Sequence, residues 1–279
     1  MKKKYEFRPK KSLGQHFLKD HEVVQEIIKK ARFDPTDRVL EIGPGLGALT
    51  LLLAREVHHV IAVEKDPLLT EILNKRLSDE KIENVLLINE DILKLDFNRI
   101  PSLHERNLRV IGNLPYNISS PILEKLVENR HMMNRAVLML QSELAGRLIA
   151  NPGTKAFGAM TVLIQYHAHV SPLLHVPKEA FRPRPKVDSM VLEMDFQRPY
   201  SERTENDVMF RRVIKGAFAQ RRKTLINSLK NSLVSCSREE ILSALEKCDI
   251  DPKRRAETLT IDDFLRLTSA LIQFHHQIC

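Results

Sequence analysis

Residues 38–47 read Arg38-Val39-Leu40-Glu41-Ile42-Gly43-Pro44-Gly45-Leu46-Gly47. A short run rich in β-branched and leucine side chains enters a glycine turn, and Leu46–Glu56 follows with apolar residues near helical spacing. That order is strand, tight turn, helix. Glycine at 43, 45 and 47 permits the sharp turn and lets a ligand approach the backbone. The spacing is G-x-G-x-G, and Ala48 stands where the nicotinamide fingerprint G-x-G-x-x-G needs its third glycine. An Ala there is tolerated in some dinucleotide sites, and a Gly-rich turn by itself implies no ligand.

The surroundings add weight. Strand-like runs recur at HVIAVE (59–64), NVLLIN (84–89), LRVIGN (108–113) and AVLMLQ (136–141). Helix-like segments lie between them at Pro67–Leu77 and Pro121–Asn129. This alternation predicts a doubly wound α/β domain with a parallel sheet. The second strand ends at Glu64, 21 residues after Gly43, where a carboxylate reaches a ribose hydroxyl pair. The third ends in Asn89-Glu90-Asp91, placing an acceptor for an adenine amino group. For Asp91 alone, a helix cap or surface carboxylate explains the residue equally well. Three successive strand tips with Gly, Glu and Asp fit an adenosyl ligand along the carboxyl edge of the sheet.

Beyond Gly158 the pattern changes. FGAMTVLIQYHAHV (157–170) suits a helix or a strand, and HVPKEAFRPRPKV (175–187) is too proline-rich for either and predicts an ordered loop. VDSMVLEMDF (187–196) alternates like a strand that could close the sheet, and Gln197–Ser201 resembles a linker. The rest is helical in pattern, with Ser237 and Glu240, then Thr260 and Asp263, in capping-box relation. We therefore expect two domains, 1–199 and 200–279, the second small and all-helical. No internal repeat at solenoid spacing and no low-complexity tract is present.

Of 279 residues, 43% are apolar and 29% charged, and no apolar stretch approaches the ~18 residues of a membrane span. The first twenty residues are basic (Lys2, Lys3, Lys4, Arg8, Lys10, Lys11) without the apolar middle of a secretory signal, which predicts a cytoplasmic protein. Cys236, Cys248 and Cys279 are widely spaced and read as reduced. The formal net charge is +8, with an isoelectric point near 9.4. That balance favours a polyanionic partner, nucleic acid before an acidic membrane surface. Basic clusters at 1–12, Arg182–Lys186, Arg221-Arg222-Lys223 and Lys253–Arg255, with only four Tyr and no Trp, suggest phosphate contacts more than base stacking. Taken singly, each is an ordinary solvated surface run. His167, His169 and His175, with His58-His59 and His275-His276, lack clustered carboxylates or thiolates and read as core or surface histidines, so no metal is expected.

The fourth strand tip reads Asn113-Leu114-Pro115-Tyr116. An exocyclic amine is a poor nucleophile because its lone pair is delocalised into its ring. Two acceptors that hold its hydrogens favour a pyramidal nitrogen. The Asn113 side-chain oxygen and the Leu114 carbonyl can supply them, since Pro115 restricts Leu114 to an extended conformation. Tyr116 offers a face on which an extruded base can stack. A random N-x-P-Y would be a proline turn with a packed tyrosine. Its place at the fourth tip of this sheet gives it the functional reading.

The sequence resembles the KsgA family, the small-subunit rRNA adenine N6,N6-dimethyltransferases, with the erythromycin-resistance rRNA methylases as cousins. The resemblance runs from about residue 12 to 270 and rests on Gly14-Gln15-His16-Phe17-Leu18, Glu41–Gly45, Val63-Glu64, Asp91, Gly112–Ser119, Ala180–Ser189 and Gln220–Thr224. It implies a Rossmann-like class I methyltransferase sheet, mostly parallel with the last strand antiparallel, and a helical C-terminal domain. It also implies S-adenosylmethionine as cofactor, held by residues matching His16, Leu18, Gly43, Gly45, Glu64, Asp91 and Asn113. His16 stands where the family usually reads Asn, so tuned cofactor affinity with retained activity is expected. The resemblance places catalysis on Asn113, Leu114, Pro115, Tyr116 and Phe181, with Phe181 on the face of the target adenine opposite Tyr116. Transfer would then rest on proximity and charge stabilisation, with no metal and no covalent intermediate.

Leu114, where the resistance methylases have Ile, and the F-x-P-x-P-K-V-D-S run from Phe181 to Ser189 favour the KsgA-like branch. The implied reaction is dimethylation of two adjacent adenines in the 3′-terminal hairpin of small-subunit rRNA, in a pre-ribosomal particle during ribosome biogenesis. Arg221, Arg222 and Lys223 are the expected RNA-facing patch, and a monomer is the expected state. The rivals are a resistance-type methylase of a large-subunit adenine and a non-catalytic rRNA-binding assembly factor.

Overall fold

The structure is a computed structural model and describes residues 9–10, 13–99, 108–233 and 236–276, the side chains of 274–276 excepted. Lys2, Lys3, Lys4, Arg8, Lys11 and Cys279 lie outside the described residues, as do the side chains of His275 and His276. The elements are β1 (Phe17–Leu18), α1 (His21–Ala31), β2 (Arg38–Ile42), α2 (Thr50–Glu56), β3 (His59–Glu64), α3 (Pro67–Asp79), β4 (Val85–Asn89), β5 (Leu108–Asn113), α4 (Ser119–Glu128), β6 (Met133–Gln141), α5 (Ser142–Leu148), α6 (Ala159–His167), β7 (His169–Val176), β8 (Phe181–Arg182), β9 (Ser189–Asp195), α7 (Asp207–Phe218), α8 (Leu225–Ser232), α9 (Arg238–Lys247) and α10 (Ile261–His276).

The chain divides into two compact units, one of Met1–Ala145 with Val170–Gln197 and one of Gly146–His169 with Arg198–Cys279. The first holds a seven-stranded sheet of order β4-β3-β2-β5-β6-β9-β7. Strands β4, β3, β2, β5 and β6 run parallel, and β9 pairs antiparallel with β6. The α/β class and the antiparallel closing strand stand as expected. Because β2 is flanked by β3 on one side and β5 on the other, the strand order reverses there, and its carboxyl end is the place where open α/β sheets bind ligands. Register puts Ile42 opposite Val63 and Gly112, and Glu64 opposite Asn89. The four tips named above therefore end at one edge.

Val39, Leu40, Val60, Ile61, Ala62, Val110 and Leu138 are all fully buried, as strands covered on both faces must be. Helix ends are set by side chains: Asp20 caps α1 by accepting from Glu22 and Val23 N–H, and Asp66 caps α3, with Pro67 in its first turn. Helix α2 starts at Thr50, later than the expected Leu46, because Gly47 at φ 82° breaks helical continuation. Strand β7 falls in a region where 157–170 left helix or strand open and 175–187 predicted a loop. It contains Pro172, which a central strand excludes, and it lies at the sheet edge, where a missing N–H costs no ladder bond.

The second unit is helical. Its core includes Phe210, Val213, Leu229, Ile241, Phe264 and Leu271, and also Val162 and Tyr166 of α6. Segment 146–169, which a boundary at 199 assigns to the sheet domain, thus packs with the helices. Both expected capping boxes form: Glu240 N–H donates to Ser237 Oγ and Ser237 N–H to Glu240, and Thr260 and Asp263 exchange the same pair. Cys236 and Cys248 are buried and are not joined in a disulfide.

Candidate active site

The carboxyl edge of the sheet carries a pocket in the first unit, lined by the glycine turn, the tips of β3, β4 and β5, and Leu13–Leu18. It gathers His16, Leu18, Gly43, Gly45, Glu64, Asp91, Asn113, Leu114, Pro115 and Tyr116, so every expected site residue of this unit except Phe181. Gly43, Gly45 and Gly47 have φ of 69°, 58° and 82°, left-handed conformations that side-chain-bearing residues avoid. Gly43 N–H donates to the Val63 carbonyl, which fastens the turn to the end of β3.

Two carboxyls face this turn. Glu64 accepts from Asp66 N–H at 2.8 Å through Oε1 and from Gly45 N–H at 3.1 Å through Oε2. Burial pushes its pKa up, against those backbone donors. Each oxygen keeps a second lone pair for a ligand hydroxyl. Glu41, 1% exposed, is pushed up to about 7 by burial, opposed by the Thr50 hydroxyl and reinforced by the Glu64 charge. Its Oε2 has no hydrogen-bond partner among the described residues. A buried acceptor left open beside a glycine cradle is what an adenosyl cofactor with hydroxyl and amine donors would satisfy.

Asp91 receives the Lys65 ammonium at 2.8 Å and Leu93 N–H at 3.0 Å. Burial raises its pKa, but these contacts outweigh it, and the carboxyl lies below its ordinary value. It is an ionised acceptor at the place predicted for an amino group. Asp66, whose position gave no functional signal, ties the N-terminal segment to this edge: Lys10 Nζ and Gln15 Nε2 donate to it at 2.8 and 3.0 Å.

At the tip of β5, Asn113 Nδ2 donates to the His16 backbone carbonyl at 2.9 Å. With the amide nitrogen committed, the other end of the group is the acceptor oxygen. Gly112 allows β5 to lie this close to β2, since a Cβ there would stand 2.8 Å from the Ile42 carbonyl oxygen. Leu114 N–H donates to Met139 O, and Tyr116 OH is 2.8 Å from Oγ of the buried Ser189. The tyrosine hydroxyl end is thereby anchored.

Phe181, expected on the face of the target adenine opposite Tyr116, is absent from the pocket lining. Phe181 is 2% exposed and packs into the core with Leu18, Val176 and Val191, away from the pocket lining. Strand β8 pairs antiparallel with β1, placing Phe181 opposite the buried Leu18 and Arg182 opposite Phe17. Directly paired residues share a face. The ring stacked on Tyr116 is that of His16, with centroids 5.4 Å apart and planes at 25°. His16 Nδ1 donates to the Pro183 carbonyl at 2.8 Å. Phe17 is a pocket residue that the sequence reading quoted without a role, and its ring would lie 3.1 Å from a Cβ at Gly45.

In the second unit, Arg221, Arg222 and Lys223 lie in the turn between α7 and α8. All three are exposed; Arg221 Nη2 also donates to the Lys155 carbonyl at 2.5 Å and pairs with Glu257 at 3.7 Å. His175 pairs with Asp188 at 3.3 Å and His167 is buried against Tyr166. Among the described residues, no group of three His, Cys, Asp or Glu is placed to share a metal ion, and no helix is long and apolar enough to cross a membrane.

The ribosomal RNA adenine dimethylase family model matches residues 6–273. The chain belongs to this family. Among curated relatives, the ribosomal RNA small subunit methyltransferase A of Desulforapulum autotrophicum is 46% identical over 275 residues, covering 98% of this chain and 95% of its own. Among solved structures, a dimethyladenosine transferase from Plasmodium falciparum superposes with a TM-score of 0.77 at 27% identity, covering 94% of this chain and 98% of its own. The 23S rRNA methyltransferase ErmE is similar at a TM-score of 0.66 and 25% identity, with coverage of 92% and 100%. Dimethylase membership accords with the pocket, since it joins an adenosyl cradle to an amide acceptor at the fourth strand tip.

Proposed function

We propose that this dimethylase transfers methyl groups from S-adenosylmethionine to N6 of two adjacent adenines in the 3′-terminal hairpin of small-subunit rRNA. The substrate is the RNA of a pre-ribosomal small subunit, and the enzyme acts as a cytoplasmic monomer in ribosome biogenesis. The closer kinship to small-subunit enzymes, 46% against 25% for ErmE, supports this substrate over a large-subunit adenine.

When bound, the cofactor supplies a methyl group made electrophilic by its sulfonium. The chain's residues do the rest. Gly43 and Gly45 would let the cofactor approach the backbone, Glu64 would accept from its ribose and Asp91 from its adenine amine, and His16 and Leu18 would help to hold it. Asn113 Oδ1 and the Leu114 carbonyl, its direction set by Pro115, hold the two hydrogens of the target amine and ease the positive charge that develops on nitrogen. Tyr116 supports the extruded base from one face. Arg222 and Lys223 of the helical unit meet RNA phosphates.

The observation that carries this reading is the orientation of the Asn113 amide by the His16 carbonyl. Asn113→Ala is expected to lower transfer to unmodified small subunits about 10²-fold or more while RNA still binds. Retained methylation would remove the role assigned to Asn113.

A further inference from the structure

The Phe17 ring borders two spaces, the candidate active-site pocket and a second groove of about 1160 Å³ in the same unit. The floor of this groove is apolar, formed by Leu46, Leu51 and Ile72 with Phe17. Its rim is basic: Lys19, Arg55, Arg76 and Arg182 line it against one carboxylate among the described residues, Glu80. Two of these cations are committed locally, Arg55 to Glu80 at 2.9 Å and Arg76 to the Leu46 carbonyl. Lys19 and Arg182 are exposed.

The groove lies next to the base slot. Tyr116 stacks on His16, His16 donates to the Pro183 carbonyl, and Pro183 with Arg182 forms the groove rim. One side chain therefore separates the tyrosine assigned to the target base from the rim of the groove. An aromatic and aliphatic floor beneath a cationic edge is how proteins hold single-stranded nucleic acid, with bases on the floor and phosphates at the edge.

The geometry points to this groove as the binding site for the unpaired nucleotide beside the target adenine, its base over Phe17 and the leucine floor and its flanking phosphates on Lys19 and Arg182. The inference rests on the function proposed above and adds to it a place for the second of two adjacent adenines. It also predicts that the enzyme prefers an opened strand to a closed duplex.

The test compares the wild-type chain with a Lys19→Gln/Arg182→Gln variant. Binding of an eight-residue oligoadenylate is followed by fluorescence anisotropy across potassium chloride concentrations. Two lost phosphate contacts should reduce the magnitude of the log–log salt slope by about 1.4 and weaken binding about tenfold near physiological salt. S-adenosylmethionine affinity, measured alongside, should stay within about twofold, which verifies the fold of the variant. Methyl transfer to unmodified small subunits should show a raised KM for the subunit with kcat little changed. An unchanged slope and KM in a variant that retains cofactor affinity would overturn the inference while wild-type transfer left the proposed function standing. Loss of binding to phosphatidylserine vesicles with oligoadenylate affinity intact would overturn it in favour of a lipid surface. Failure of the wild type itself to methylate small subunits would defeat the proposed function, and the groove assignment with it.

Discussion

Glu41 is held near neutrality by burial at the point where the sheet gives way to the glycine turn. Its pKa is about 7 in the folded chain against an ordinary 4.5. A carboxyl with a raised folded value binds its proton more tightly when folded, so its contribution is complete below about 4.5 and is lost as pH rises through about 7. The cofactor-free chain should therefore lose a few kcal/mol of stability across that window. Urea unfolding at a series of pH values should show this slope in the wild type and a flatter profile in Glu41→Gln; parallel profiles would contradict the account. His16→Asn removes the hydrogen bond to Pro183 and the stack on Tyr116, worth about 0.5–1.5 kcal/mol each. Calorimetry should find cofactor affinity changed by no more than about tenfold, with transfer retained. At this scale the sequence was informative about which residues meet at the pocket, since Glu64, Asp91 and Asn113 each reach it from a strand tip. It placed Phe181 at the target base without the burial that the fold gives its ring, and it was silent on the open Oε2 of Glu41, which depends on what the fold places around it.

Among the elements, β2 and β5 set the site, because Asn113 reaches the glycine turn only if these strands lie close. Gly112→Ala would thrust a methyl group to 2.8 Å from the Ile42 carbonyl oxygen, a backbone atom that cannot swing aside. The expected cost is about 1–3 kcal/mol, read as a lower denaturation midpoint together with weaker cofactor binding. A variant as stable as the wild type would show that the strand pair has slack. The inner parallel strands β2, β3, β5 and β6 were legible because strands covered on both faces are largely apolar, and α9 and α10 because their capping residues are local. Edge strand β7 was not, since Pro172 is a breaker anywhere except at an edge and sequence does not say where the edge falls. Nor was the delayed start of α2, which follows from the backbone angle of Gly47.

At the scale of the whole molecule, the composition pointed to a polyanion and the resemblance narrowed it to rRNA. The placing of 146–169 with the helical unit arises from long-range packing of Val162 and Tyr166, which no local pattern reveals. The basic turn at 221–223 divides by role. Arg222→Ala/Lys223→Ala should reduce the log–log salt slope of RNA binding by about 1.5 with stability unchanged. Arg221→Ala should instead loosen the helical unit, because its guanidinium holds the 155–157 backbone and Glu257. Equal effects on the slope from all three positions would contradict that division. The most direct test of the central claim is transfer of labelled methyl from S-adenosylmethionine to small ribosomal subunits lacking the modification, with the product nucleoside identified and mapped by mass spectrometry. The account predicts N6,N6-dimethyladenosine at the two adjacent adenines of the 3′-terminal hairpin. Label confined to large-subunit RNA, or none despite bound cofactor and RNA, would contradict it.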